Sequence, residues 1–119
     1  MHFENYSALT SGLAFDLIDR LAGNERITTK FGKSNQSCSA YVEVTLWDEE
    51  GDYVDEFKVR FSDHADRHGS DITIRIEGIA KCDDFELPED FAGVDVDGAD
   101  YEAALMAAMK AVNGALIAA

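Results

Sequence analysis

At 119 residues and 46% apolar content the chain is long enough for one domain with a real core, which excludes an intrinsically disordered polypeptide. Its formal net charge is −14, with 24 acidic against 10 scattered basic residues, which excludes nucleic-acid binding through a basic surface. The longest apolar run, Ala103 to Met109, is too short to cross a membrane, and Met1–Tyr6 lacks the basic and apolar regions of a signal peptide. A cytoplasmic protein is expected.

Residues 7–22 predict a helix. Leu9, Leu13, Leu17 and Leu21 recur at helical spacing beside Ala14 and Ile18; Ser7 is placed to cap the start and Gly23-Asn24 to stop it in a left-handed turn. Gly12 lowers the helix propensity and marks an expected close contact. Strand signals follow at 26–31, 40–47, 54–62 and 72–76. Val42, Val44 and Leu46 alternate on the second, Phe57, Val59 and Phe61 on the third, and Ile72, Ile74 and Ile76 on the fourth. Strict alternation predicts an antiparallel sheet with one buried and one wet face, the wet one carrying Glu43, Lys58, Arg60, Arg75 and Glu77. Residues 78–97 hold no periodicity and the only proline, Pro88, and read as an acidic loop. A closing helix is expected from about Asp100 to Ala118, with Tyr101, Leu105, Met109, Val112 and Leu116 inward and Asp97 or Asp100 at its cap. The expected fold is a single α+β domain over 1–119: a four-stranded antiparallel sheet with an N-terminal and a C-terminal helix packed on one face.

The negative charge is concentrated. Residues 48–56 carry Asp48, Glu49, Glu50, Asp52, Asp55 and Glu56 with no base; residues 83–102 carry Asp83, Asp84, Glu86, Glu89, Asp90, Asp95, Asp97, Asp100 and Glu102, again with no base. The remainder of the chain is close to neutral. Such a field concentrates cations and basic surfaces and repels nucleic acid and anionic membranes. Tyr53 sits in the first patch and Phe85 and Phe91 in the second, with Trp47 nearby at a strand end, so these aromatics are candidate anchors with a charged rim.

Catalytic signatures are weak. Asp63, His64, Asp66 and His68 are the one cluster of metal-ligand types, but their spacing matches no established fingerprint and Arg67 opposes a cation. Counted from Asp95, an EF-hand loop would put Met106 at its last liganding position, so that match fails. No serine lies in a nucleophile elbow, and no phosphate-binding glycine pattern is present. Cys38 and Cys82 are 44 residues apart and read as reduced thiols. The expectation is a binding protein, not an enzyme, with no cofactor and no metal.

The stretch Phe57–Ile76, FKVRFSDHADRHGSDITIRI, resembles a segment of small bacteriophage and prophage proteins; it covers about a sixth of the chain and implies no catalytic role. In size, α+β character and acidity the chain also resembles phage-encoded anti-defence proteins, the anti-CRISPRs above all, several of which place carboxylates where a nuclease complex expects phosphates. This resemblance implies a partner in the host cytoplasm: the basic surface of a nucleic-acid-binding complex, such as a CRISPR surveillance complex, with no direct contact to nucleic acid or membrane. The expected contact edges are Asp48, Glu49, Glu50, Asp52, Tyr53, Asp55 and Glu56, and Asp83, Asp84, Glu86, Glu89 and Asp90. Two alternatives stand beside it. One is a phage structural or assembly protein that homodimerises through the Ala-rich final helix; the other is a metal-dependent enzyme using the 63–68 loop.

Overall fold

The structure, a computed structural model, describes residues 1–34, 38–62, 73–77 and 93–118. Two helices, α1 (Tyr6–Leu21) and α2 (Gly98–Ala118), accompany six strands: β1 (His2–Phe3), β2 (Ile27–Lys33), β3 (Ala40–Trp47), β4 (Tyr53–Ser62), β5 (Thr73–Glu77) and β6 (Val94–Asp95). The fold class is α+β. Strands β2-β3-β4-β5 form an antiparallel meander in sequence order, and β1 pairs with β6 in a separate two-stranded sheet.

The meander follows the alternation in the sequence. Ala40, Val42, Val44 and Leu46 stand opposite Phe61, Val59, Phe57 and Asp55, which puts the apolar members of both strands on one face. Leu9, Leu13, Ala14, Leu17 and Leu21 of α1 cover that face, joined in a single core by Tyr101, Leu105, Ala108 and Val112 of α2. Helix α1 lies across β2, β3 and β4; α2 packs on α1 and reaches β5. At the sheet edge the cover runs out: Ile74 is half-buried, and Ile76, an inward position by register, is 47% exposed.

Several local expectations need correction. Asn5, not Ser7, caps α1: it is extended, and its Oδ1 accepts from the Ala8 amide at 2.8 Å. Ser7 instead bonds Lys33 of β2. The helix stops without a left-handed residue. The Asn24 amide bonds the Leu21 carbonyl at 3.1 Å, and Asn24 Oδ1 accepts from the Arg26 amide at 2.9 Å, so Asn24 turns the chain into β2. The Gly12 contact is present: a Cβ there would lie 3.4 Å from both Phe3 Cε1 and Tyr101 Oη. Asp97 rather than Asp100 caps α2, its Oδ1 accepting from the Ala99 amide at 2.8 Å.

The sheet face expected to be wet is buried at β4. Lys58 and Arg60 are 4% and 2% exposed. The Lys58 ammonium stands 4.1 Å from the centroid of the Tyr41 ring and the Arg60 guanidinium 5.7 Å from it, so the ring offers both cations an apolar, electron-rich surface. The Tyr41 ring in turn lies over the β2 backbone at Gly32, where any Cβ would fall inside it, so Gly32 is fixed by this close approach. Register puts Lys30, Glu43, Lys58 and Glu77 in one cross-strand row of alternating sign.

The two-stranded sheet is the element without a sequence signal. Its strands are two residues long and are held by end groups: the N-terminal ammonium donates to the Val96 carbonyl at 2.8 Å, the Val96 amide donates to the Met1 carbonyl at 2.8 Å, and His2 Nδ1 meets Asp95 Oδ1 at 2.7 Å. This brings Phe3 to stack on Tyr101 at 5.8 Å. The Tyr101 hydroxyl donates to Asp16, and burial, followed by that bond, holds its pKa far above the usual phenol range. One turn further along α1, Arg20 donates from its two terminal nitrogens to Glu102 of α2, at 2.6 and 2.7 Å. Positions 12, 16 and 20 of α1 thus form the seam with α2.

The Arg20 hydrogen bonds lower the Glu102 pKa below the ordinary carboxylate value. A carboxyl group depressed in the folded state contributes stability above its unfolded pKa and loses it as pH falls through the folded value. Thermal melting of the native protein is therefore expected to weaken on acidification below the ordinary glutamate range. Glu102→Gln should melt lower at neutral pH and show a shallower acid slope; an unchanged slope would remove Glu102 from the acid response.

Candidate functional site: the acidic β3–β4 hairpin

The turn between β3 and β4 is built by Asp48. Its amide donates to the Asp52 carbonyl at 2.9 Å and its carbonyl accepts from the Gly51 amide at 3.1 Å. Its side-chain Oδ1 accepts from the Glu50 amide at 2.9 Å and the Asp52 amide at 2.8 Å. Gly51 has φ +85°, a conformation that favours glycine. Asp48 is therefore the framework of the turn, and its carboxylate is taken up by the backbone it organises.

The other expected residues divide by environment. Glu49, Glu50, Asp52 and Glu56 are exposed, and their carboxylates accept no hydrogen bond from another described residue. Asp55 is exposed but accepts from the Glu56 amide at 2.8 Å. Tyr53 is 55% exposed and meets the Trp47 ring edge-on, at 6.3 Å between centroids and 85° between planes. Desolvation, then Glu56 and Asp55, raise its pKa, so at neutral pH it is an uncharged phenol. A register shift between Leu46 and Trp47 makes Val54 the extra residue and brings Tyr53 opposite Trp47. The hairpin thus presents four unencumbered carboxylates beside an aromatic pair.

The second patch is less unified than its composition suggests. Asp95 pairs with His2, Asp97 caps α2 and Glu102 holds Arg20, leaving Asp100 at the first turn of α2 among the described residues of that stretch. Its members Asp83, Asp84, Glu86, Glu89 and Asp90, and the aromatics Phe85 and Phe91, lie outside the described residues. So does the 63–68 loop with Asp63, His64, Asp66 and His68. Among the described residues no group of three or more His, Cys, Asp or Glu side chains converges as a metal site, and Cys38 is a half-buried thiol outside any disulfide. No described helix is long and apolar enough to cross a membrane.

Sequence reasoning missed a neighbour of the hairpin. Glu25, Arg26 and Thr28, from the α1–β2 connection and β2, join Trp47, Asp48 and Glu49 around an open concavity of about 510 Å³. Arg26 Nε donates to the Trp47 carbonyl at 2.9 Å and Trp47 Nε1 donates to Thr28 Oγ1 at 2.9 Å. Only the β2–β3 register brings these residues together; no motif joins positions 25–28 to 47–49. No family model, curated protein or solved structure matches the chain.

Proposed function

We propose that this chain is an acidic interaction protein of the anti-CRISPR kind, which inhibits a nucleic-acid-binding host complex by occupying its phosphate-binding surface. The observation that carries this reading is the hairpin: the carboxylates of Glu49, Glu50 and Asp52, on a turn fixed by Asp48, and of Glu56, on the adjoining β4, are exposed and unpartnered by the described fold. Duplex DNA presents one negative charge per roughly 1.7 Å, and its receptors answer with arrays of Lys and Arg. A hairpin whose backbone is already fixed loses little backbone freedom on meeting such an array. The test is displacement of duplex DNA from purified CRISPR surveillance complexes, followed by gel mobility. The native protein should displace DNA and the triple variant Glu49→Lys, Glu50→Lys, Asp52→Lys should not. Equal displacement by both, or none by the native protein, rejects the reading.

A second reading, self-association through α2, is favoured by one observation. The outward arc of this 21-residue helix contains Ala103, Met106, Ala107, Lys110 and Ile117, with Met106 54% and Ile117 86% exposed, in a protein otherwise rich in surface charge. Large apolar side chains left exposed on such a helix mark a contact surface. Antiparallel pairing centred near Leu105 would bring Ala103 against Ala107 of the second copy and Lys110 against Asp100. Light scattering should then give a dimer for the native chain and a monomer for Met106→Glu.

A further inference from the structure

The concavity beside the hairpin has a composition suited to one ligand class. Three acidic residues, Asp48, Glu49 and Glu25, line it against one basic residue, Arg26, so an anion is disfavoured there. Arg26 is anchored by its Nε on the Trp47 carbonyl, and Asp48 by the two turn amides it accepts. Glu25 and Glu49 are exposed and keep their acceptor capacity for a ligand. The carboxylates alone would not define that ligand; the open concavity and the fixed indole do.

Trp47 is held in place by three contacts. Its amide donates to the Arg26 carbonyl at 2.9 Å, its Nε1 donates to Thr28 Oγ1 at 2.9 Å, and Tyr53 packs edge-on against the ring. An indole immobilised before binding is a low-cost platform for a cation, and tryptophan is the strongest of the aromatic residues in this role. A hard divalent metal would require several converging oxygens, which the described residues do not assemble. A planar organic cation needs only an aromatic surface and a carboxylate acceptor at its edge, and guanidinium meets both demands at once.

We propose that this concavity is a receptor for one arginine side chain of the basic partner, stacked against Trp47 and bonded by Glu25 and Glu49. The proposal rests on the interaction reading above and assigns it a specific anchor, which shares Glu49 with the hairpin and adds Glu25 and Trp47. Anchors of this kind, an arginine in an aromatic pocket with a charged rim, dominate many interfaces.

Trp47 is the only tryptophan, so its fluorescence reports the site directly. The experiment titrates the native protein with the capped tripeptide Gly-Arg-Gly and with its neutral isostere, in which citrulline replaces arginine. The indole N–H resonance of Trp47 serves as a second readout. The arginine peptide should give a saturable change in both signals, and the citrulline peptide should bind at least about tenfold more weakly, since it forfeits both the cation–aromatic and the ionic contribution. Glu25→Gln, which leaves the hairpin intact, should weaken the arginine peptide by about two- to fivefold. No saturable change, or equal binding of the citrulline peptide, overturns the proposal. A lysine peptide that binds as well as the arginine peptide overturns the assignment to guanidinium. Failure here with continued displacement of DNA would reject the anchor alone, whereas a saturating arginine peptide without DNA displacement would reject the inhibitory function and leave the site standing.

Discussion

Neutralising the hairpin with Glu49→Gln, Glu50→Gln, Asp52→Asn and Glu56→Gln is expected to weaken binding to the basic partner by about 10- to 100-fold at physiological salt. Four exposed charge pairs contribute on the order of 0.3–0.7 kcal/mol each, and every 1.4 kcal/mol is about tenfold in affinity. Asp48 is left in place because its carboxylate accepts from two turn amides, so replacing it would disturb the display and confound the measurement. Neutralising Asp83, Asp84, Glu86 and Glu89 should cost less binding. The sequence of that stretch carries no strand or helix period from which its carboxylates would be displayed together. Asp97→Ala is the control. It should remove about 1 kcal/mol of stability by uncapping α2 while leaving binding unchanged. Calorimetric titration of the three variants separates these outcomes, and equal losses from the first two would contradict the argument from a preformed turn.

The largest expected effect on stability comes from Phe61→Ala. Phe61 is fully buried, stands opposite Ala40 on β3 and Ile74 on β5, and is the largest side chain without solvent contact among the described residues. Truncating a buried phenylalanine removes its transfer free energy and leaves a cavity that close-packed neighbours refill only in part, a loss of about 3–5 kcal/mol. Domains of this size are stable by only about 5–15 kcal/mol, so the variant should be near the limit of folding. Denaturant unfolding should show a large fall in midpoint; a loss below about 1 kcal/mol would mean that the meander does not meet the helices at this position.

The success of sequence reasoning varied with the range of the interactions involved. The bounds of β3, the inward rows of β3 and β4 and the inward stripe of α2 were legible because each is a local period imposed by one large core. The β1–β6 sheet was not, since four residues held by end groups and a His–Asp pair carry no period. Burial of Lys58 and Arg60 contradicts alternation read as wet and dry faces: alternation assigns a side chain to a face, and Tyr41 alters what that face offers a long cationic stem. For the hairpin, composition gave the number of carboxylates, but only hydrogen bonding separated Asp48, which builds the turn, from Glu49, Glu50, Asp52 and Glu56, which it displays. The Trp47 concavity depends on strand register and had no local signature.

If displayed carboxylates engage a basic array, the partner's dissociation constant must depend on salt. Screening shortens the reach of exposed charges from about 30 Å at 0.01 M salt to about 8 Å at 0.15 M. Binding through Glu49, Glu50, Asp52 and Glu56 should therefore weaken by about tenfold or more across that range, and the neutralised hairpin should lose most of that dependence. An affinity that stays flat with salt, or a dependence that persists unchanged in the neutralised hairpin, would contradict the account.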